Sequence, residues 1–207
     1  MKRAILPSAA VLLGLFLAWC YAPESEPFHP AELVCFLDTP TGNGSAVPIA
    51  VTPEGFTVLL TARHVVEDLI LPSDLTVSLR RGLPVPATRV EPCPDLDLAL
   101  IWVQKVWPIV PFDLQELHFG DRVQGSGYFF NGPLMVSDGV LSERDIASVE
   151  AFPGCSGGAV LREGRLVGII HSSGRVGVKG GMGSVPVGGI AIFVSISDAL
   201  PWIRATL

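Results

Sequence analysis

Charge is scarce in this chain. Only 16% of its 207 residues are charged, 14 basic against 20 acidic, for a formal charge of −6. That balance lacks the basic footprint of a nucleic-acid binder, so no nucleic-acid partner is expected. Cysteine is also scarce. Of the four, Cys20 falls in the first apolar segment, which leaves Cys35, Cys93 and Cys155, an odd number. A Cys35–Cys93 disulfide is open in an oxidising compartment, and buried free thiols are the equal alternative. The histidines (His29, His64, His118, His171) are scattered, with no His-x-x-x-His pair and no Cys-x-x-Cys, so neither zinc nor any other metal is expected. No Gly-x-x-x-x-Gly-Lys-Ser loop is present to cradle a phosphate. What the chain does have is apolar bulk, 49% of its residues, which excludes a disordered protein. It also has 22 glycines and 18 prolines, about one residue in five, which argues for many short strands joined by turns and against a helical bundle.

The amino terminus reads as a targeting segment. Lys2 and Arg3 precede an uncharged stretch from Ala4 to Ala22, and the first acid after it is Glu24. A basic start followed by an apolar run directs a chain to a membrane and is not part of the fold. Residues 1–22 are therefore expected to be an N-terminal apolar helix, serving as a signal peptide or membrane anchor. Trp19 before Cys20 argues against a lipoprotein signal, and Pro23 makes cleavage after Ala22 unfavourable, so the anchor is preferred. Either way the domain is expected outside the cytoplasm, membrane-anchored or secreted. Residues 23–31 read as a Pro- and Glu-containing linker, and residues 32–207 as one domain.

Within that domain, apolar runs alternate with turn residues. Segments 46–51 and 56–60 flank Thr52-Pro53-Glu54-Gly55, a hairpin signal, and 75–79, 88–90 and 98–103 follow. The last is nearly all apolar, as a strand covered on both faces would be. A Pro-containing stretch around 107–112 separates a second set: 122–128, 134–142, 158–161, 165–171 and 190–194. Only 197–206 reads as helix, with Ser197 as its N-cap. Two similar strand sets and one closing helix predict two β-barrels side by side. The glycine-rich segment 174–189 is expected to be a mobile loop.

Three motifs carry chemistry. In Pro153-Gly154-Cys155-Ser156-Gly157-Gly158 the glycines permit a tight turn that exposes the Ser156 hydroxyl. The turn also leaves the amides of Gly154 and Ser156 able to converge as an oxyanion hole. A glycine-rich hairpin loop is the bland alternative. A serine hydroxyl needs a base titrating near neutrality, which His64 in Thr61-Ala62-Arg63-His64 can supply. Asp97, entering the apolar run Leu98-Ala99-Leu100-Ile101, can accept the other imidazole N–H and fix its tautomer. Each motif alone has a structural explanation. Their coincidence in the order His, Asp, Ser is the signal.

With these motifs the chain resembles the chymotrypsin-fold serine proteases, and more closely the HtrA/Deg-type protease domain. Gly42-Asn43-Gly44-Ser45, Phe119-Gly120-Asp121-Arg122-Val123, Gly139-Val140-Leu141-Ser142 and Arg165-Leu166-Val167-Gly168-Ile169-Ile170 are similar to further parts of that domain. The likeness covers roughly residues 32–205 and stops short of the PDZ module that usually follows. It implies two six-stranded β-barrels with a short C-terminal helix, and a catalytic triad of His64, Asp97 and Ser156 acting on protein or peptide substrates without a cofactor. A non-turning-over protein that binds exposed peptide segments, or an esterase, is the alternative. The separations, 33 residues from His64 to Asp97 and 59 from Asp97 to Ser156, are short for the fold and imply trimmed loops.

Two departures matter. Cys155 stands where digestive members carry an aspartate that pairs with a new N-terminus, so that activation switch is absent. Its thiol also sits one residue ahead of the nucleophile slot, which Ser156 fills. The substrate pocket is expected from Glu150, His171, Ser172 and Ser173. Glu150 at the pocket base would favour a basic residue, or else is a surface glutamate. His171 resembles the pocket histidine of glutamate-specific members but falls one residue late. A small-to-medium apolar preference is the default.

Overall fold

The structure is a computed structural model and describes residues 29–177 and 184–207; the apolar leader expected at residues 1–22 lies outside them. Twelve strands form two closed antiparallel barrels. The first contains β1 (Cys35–Thr39), β2 (Gly42–Val51), β3 (Thr57–Thr61), β4 (Thr76–Leu79), β5 (Val85–Pro92) and β6 (Ala99–Val103), in the spatial order β1-β2-β3-β6-β5-β4. The second contains β7 (Arg122–Tyr128), β8 (Leu134–Glu143), β9 (Ile146–Ala147), β10 (Ala159–Arg162), β11 (Arg165–Gly177) and β12 (Ser184–Ser195), in the order β10-β11-β12-β9-β8-β7. Helix α1 (Ile196–Thr206) closes the chain.

Every residue of β3 and β6 is buried, and the unbroken apolar run of β6 and the apolar centre of β3 follow from burial on both strand faces. Leu59, Ala99, Ile101 and Val103 point into the first barrel, with Leu37 and Val77. Val58, Leu60, Leu100 and Trp102 point the other way, into a layer shared with Leu161, Leu166 and Ile169 of the second barrel. Helix α1 adds Ile196, Ala199 and Ile203 to this layer. The second barrel has its own interior around Val123, Leu141, Val160, Val167, Ile170 and Phe193. The barrels are thus joined by a core of their own. The connector between them is held by the backbone bond from Val110 N–H to the Pro48 carbonyl, 2.8 Å. Arg162 also ties it down, reaching Asp113 at 2.9 Å and Asp121 at 2.6 Å.

Several boundaries differ from expectation. The linker ends earlier than residue 31. A 3₁₀ turn at Pro30–Leu33 already belongs to the domain, because Ala31 is buried and its carbonyl accepts the Ser126 hydroxyl at 2.6 Å. The helix N-cap is Ser195, whose Oγ accepts from the Ser197 N–H at 3.3 Å, so the helix begins a residue before the expected cap. The expected mobile loop at 174–189 is partly sheet: Arg175↔Pro186, Val176↔Val185 and Gly177↔Ser184 continue the β11–β12 ladder. Residues 178–183 lie outside the described residues. Cys35, Cys93 and Cys155 are all free and buried, which decides the open disulfide question. Among the described residues, no helix is long and apolar enough to cross a membrane.

Candidate active site

His64 sits on a single 3₁₀ turn, Arg63–Val65, entered directly from β3 through Ala62. Asp97 sits on the loop between β5 and β6, which is closed by Cys93 N–H donating to the Leu98 carbonyl at 2.8 Å. Arg63 ties the two segments together, its Nη1 donating to the Cys93 carbonyl at 3.1 Å. The two side chains meet in a two-point grip. His64 Nδ1 lies 2.8 Å from Asp97 Oδ2, and the His64 backbone N–H donates to Oδ1 at 3.0 Å. The carboxylate is only an acceptor, so the imidazole proton belongs on Nδ1 and the Nε2 lone pair is left free. The hydrogen bond to Asp97 raises the His64 pKa above its ordinary 6.5, against burial, which works to lower it. Burial pushes the Asp97 carboxyl up, but the side-chain and backbone bonds from His64 outweigh it and hold the group below its ordinary value.

Ser156 comes from the second barrel, on the turn between β9 and β10. Gly154 and Gly157 take φ of +96° and +85°, a region that favours glycine. A Cβ on Gly154 would fall 2.6 Å from the Phe130 nitrogen, and one on Gly157 would collide with the Ser45 carbonyl and the Thr61 hydroxyl. The amides of the turn divide into two groups. Those of Cys155, Gly157 and Gly158 are engaged, donating to Phe152, Ile170 and Cys155 carbonyls at 2.9, 2.7 and 2.8 Å. Those of Gly154 and Ser156 donate to no acceptor among the described residues. The Ser156 hydroxyl donates to the His171 carbonyl at 3.3 Å.

The first barrel also reaches into this turn. Ser45, fully buried on β2, donates from Oγ to the Gly154 carbonyl at 2.9 Å and accepts from Tyr128 N–H at 2.9 Å. Its own N–H donates to the Ser156 carbonyl at 2.8 Å, and its carbonyl accepts the Thr61 hydroxyl at 2.7 Å. The roles of Ser45, Thr61 and Arg63 are not assignable from sequence. Ser45 and Gly154 are 109 residues apart, and only the folded chain brings them together.

His64, Gly154, Ser156, His171, Ser172 and Ser173 line one cleft of about 500 Å³, with Asn43, Asp68 and Phe152 among its other walls. Glu150 lies outside it, exposed, with its N–H donating to the Ser137 hydroxyl at 2.8 Å. His171 also lies against Asp97, its Nδ1 3.7 Å from Oδ2. Burial, partly offset by Asp97, lowers the His171 pKa below 6.5. The Cys155 thiol faces away into the fold, and burial pushes its pKa up.

Two closed barrels with a histidine–aspartate pair on one and a half-buried serine turn opening on the same cleft from the other define the trypsin-like class of serine endopeptidases. The chain belongs to the trypsin-like peptidase domain family, whose model matches residues 44–169. No curated protein matches it by sequence. Its fold is similar to that of an inactive serine-to-alanine mutant of Rv3671c from M. tuberculosis H37Rv, with 17% identity and a TM-score of 0.66 over 100% of this chain and 98% of that one. It is similar to the serine endoprotease from Yersinia pestis, with 23% identity, a TM-score of 0.66, and coverage of 86% of this chain and 63% of that one. It is also similar to the HtrA-type protease AlgW bound to a tripeptide, with 25% identity, a TM-score of 0.67, and coverage of 86% and 60%. The chain thus spans less than two thirds of the length of the last two.

Proposed function

We propose that the two-barrel unit from Pro30 onward is a serine endopeptidase domain that acts outside the cytoplasm, tethered or exported through residues 1–22, and that cleaves protein or peptide substrates through Ser156, His64 and Asp97. The observation that carries this reading is the His64–Asp97 pair at 2.8 Å facing the same cleft as Ser156 and two unengaged amides. In the reaction, the Ser156 hydroxyl leaves the His171 carbonyl and gives its proton to His64 Nε2 as Oγ bonds to the substrate carbonyl carbon. The carbonyl oxygen takes up the electron pair and is held by the Gly154 and Ser156 N–H groups. Asp97 stabilises the imidazolium. Collapse breaks the C–N bond, the amine departs with the proton from His64, and an acyl-Ser156 ester remains. Water, deprotonated by the same imidazole, hydrolyses that ester and regenerates Ser156.

A fluorophosphonate probe tests this reading. Stoichiometric labelling that Ser156→Ala abolishes, together with Ser156-dependent cleavage of casein, is the expected result. Equal cleavage by wild type and Ser156→Ala would end it. The rival, peptide binding without turnover, draws on the Ser156 hydroxyl resting on the His171 carbonyl. It predicts peptide binding with neither labelling nor cleavage.

A further inference from the structure

His171 touches two members of the site at once, through different atoms. Its imidazole Nδ1 lies 3.7 Å from Asp97 Oδ2, the oxygen that His64 Nδ1 contacts at 2.8 Å. Its backbone carbonyl accepts the Ser156 hydroxyl at 3.3 Å. A distance of 3.7 Å is longer than a hydrogen bond, yet close enough for the polar N–H to act on the carboxylate. A bare imidazole lone pair facing a carboxylate is repelled, so the His171 proton belongs on Nδ1. One carboxylate therefore faces two imidazoles.

The charged groups around His171 are Asp97 from the loop before β6, His64 from its 3₁₀ turn, and Asp145 from the β8–β9 turn. Glu67 is near enough to act on His64 through its charge, and Asp68 lines the cleft wall. Burial favours the neutral form of His171, while the hydrogen bond to Asp97 favours the charged form of His64. A single Asp97 charge cannot stabilise two imidazolium ions side by side, so the first proton goes to His64.

Resting on the triad reading above, we propose that His171, besides lining the cleft, is a positioning residue for His64. Its Nδ1–H partly occupies the Asp97 oxygen that holds His64, and so sets the pH at which His64 becomes available as a base. The carboxylate shares its charge between two donors, which moderates its grip on His64. Without the second donor, all of that charge acts on His64.

The experiment compares His171→Leu, of similar bulk and without a donor, with His171→Asn, which donates without titrating. His64 is followed by NMR titration of labelled imidazoles in a Ser156→Ala background, and the acid limb of kcat/KM is followed in the active enzyme. Leu is expected to move both midpoints to higher pH, by roughly half a unit to one unit, and Asn to leave them near wild type. A His64 midpoint that does not move in the Leu variant overturns the proposal. So does a variant that changes KM with the cleaved side chain while both midpoints stay fixed. The imidazole titration needs no turnover, so it decides this point even if the enzyme shows no Ser156-dependent cleavage.

Discussion

The Ser45 hydroxyl, on a strand of the first barrel, donates to the Gly154 carbonyl of the second at 2.9 Å. That bond, with the Ser45 N–H donating to the Ser156 carbonyl at 2.8 Å, anchors the turn whose Gly154 and Ser156 line the cleft. Ser45→Ala removes it and leaves the Tyr128 N–H without its acceptor. The loss in kcat is expected at about tenfold to a hundredfold, with roughly 1–3 kcal/mol of stability. Parallel measurements of fluorophosphonate labelling rate and urea unfolding read the two effects separately.

Gly157→Ala should be far more severe. The added methyl meets the Ser45 carbonyl and the Thr61 hydroxyl, both backbone-anchored and buried, at a residue with φ of +85°. Neither neighbour can yield without opening the contact between the barrels. Soluble protein with no probe labelling, or no soluble protein, is expected on expression. Full activity would show that the turn relaxes.

The pH dependence follows from the sign of the His64 shift. On the proposed mechanism His64 serves as base only when neutral, so kcat/KM should rise with pH through a midpoint above the ordinary 6.5. The charged pair with Asp97 contributes stability that is fully present below the unfolded-state value near 6.5. It is lost as pH rises through the higher folded-state value. Activity and this part of the stability therefore move in opposite directions across the same titration. A kcat/KM profile beside melting temperatures in matched buffers checks both.

Arg162 offers a test away from the chemistry. Its side chain is 13% exposed and holds Asp113 and Asp121, whose pKa values are lowered chiefly by the Arg162 hydrogen bond and by the His118 N–H respectively. Arg162→Met leaves Asp113 largely buried without its cation, with an expected cost of about 2–4 kcal/mol in chemical denaturation. The contribution of the two carboxylates is present above their ordinary pKa of 3.8. It fades as pH falls through the lower folded values, so the gap between wild type and variant should narrow in acid.

Thiol chemistry separates Ser156 from its neighbour. Cys35, Cys93 and Cys155 are buried, and burial raises the thiol pKa of Cys35 and Cys155. A thiol reagent should leave native activity intact and react with them only on unfolding. Cys155→Ala should keep most of the activity. Loss of turnover on alkylation of the folded protein would implicate the thiol.

Much of this site is legible in sequence because its chemistry restricts residue types. A base, its carboxylate partner and a hydroxyl on a glycine turn leave recognisable patterns around His64, Asp97 and Ser156. The elements that escape notice are those fixed by long-range pairing. β1 is five residues long with polar Asp38 and Thr39, and it is a strand because β2 and β4 flank it. β9 is two residues that close a barrel. Ladder bonds use backbone groups, so the glycine-rich edges of the 174–189 segment pair despite a composition that reads as loop. His171 falls in the stretch expected to wall the pocket and does line the cleft, but its contact with Asp97 depends on where two distant strands end.

The shared core between the barrels has a consequence for how such a molecule fails. His64 and Asp97 belong to one barrel, Ser156 and the Gly154 and Ser156 amides to the other, so on the proposed mechanism neither half holds the full set of reacting groups. On that reading, loosening the seam around Leu60, Leu100 and Leu161 would separate the reacting groups even while each barrel kept its own interior. Cleaving power then becomes a readout of assembly, and a partly folded copy carries a safety catch against cutting its neighbours.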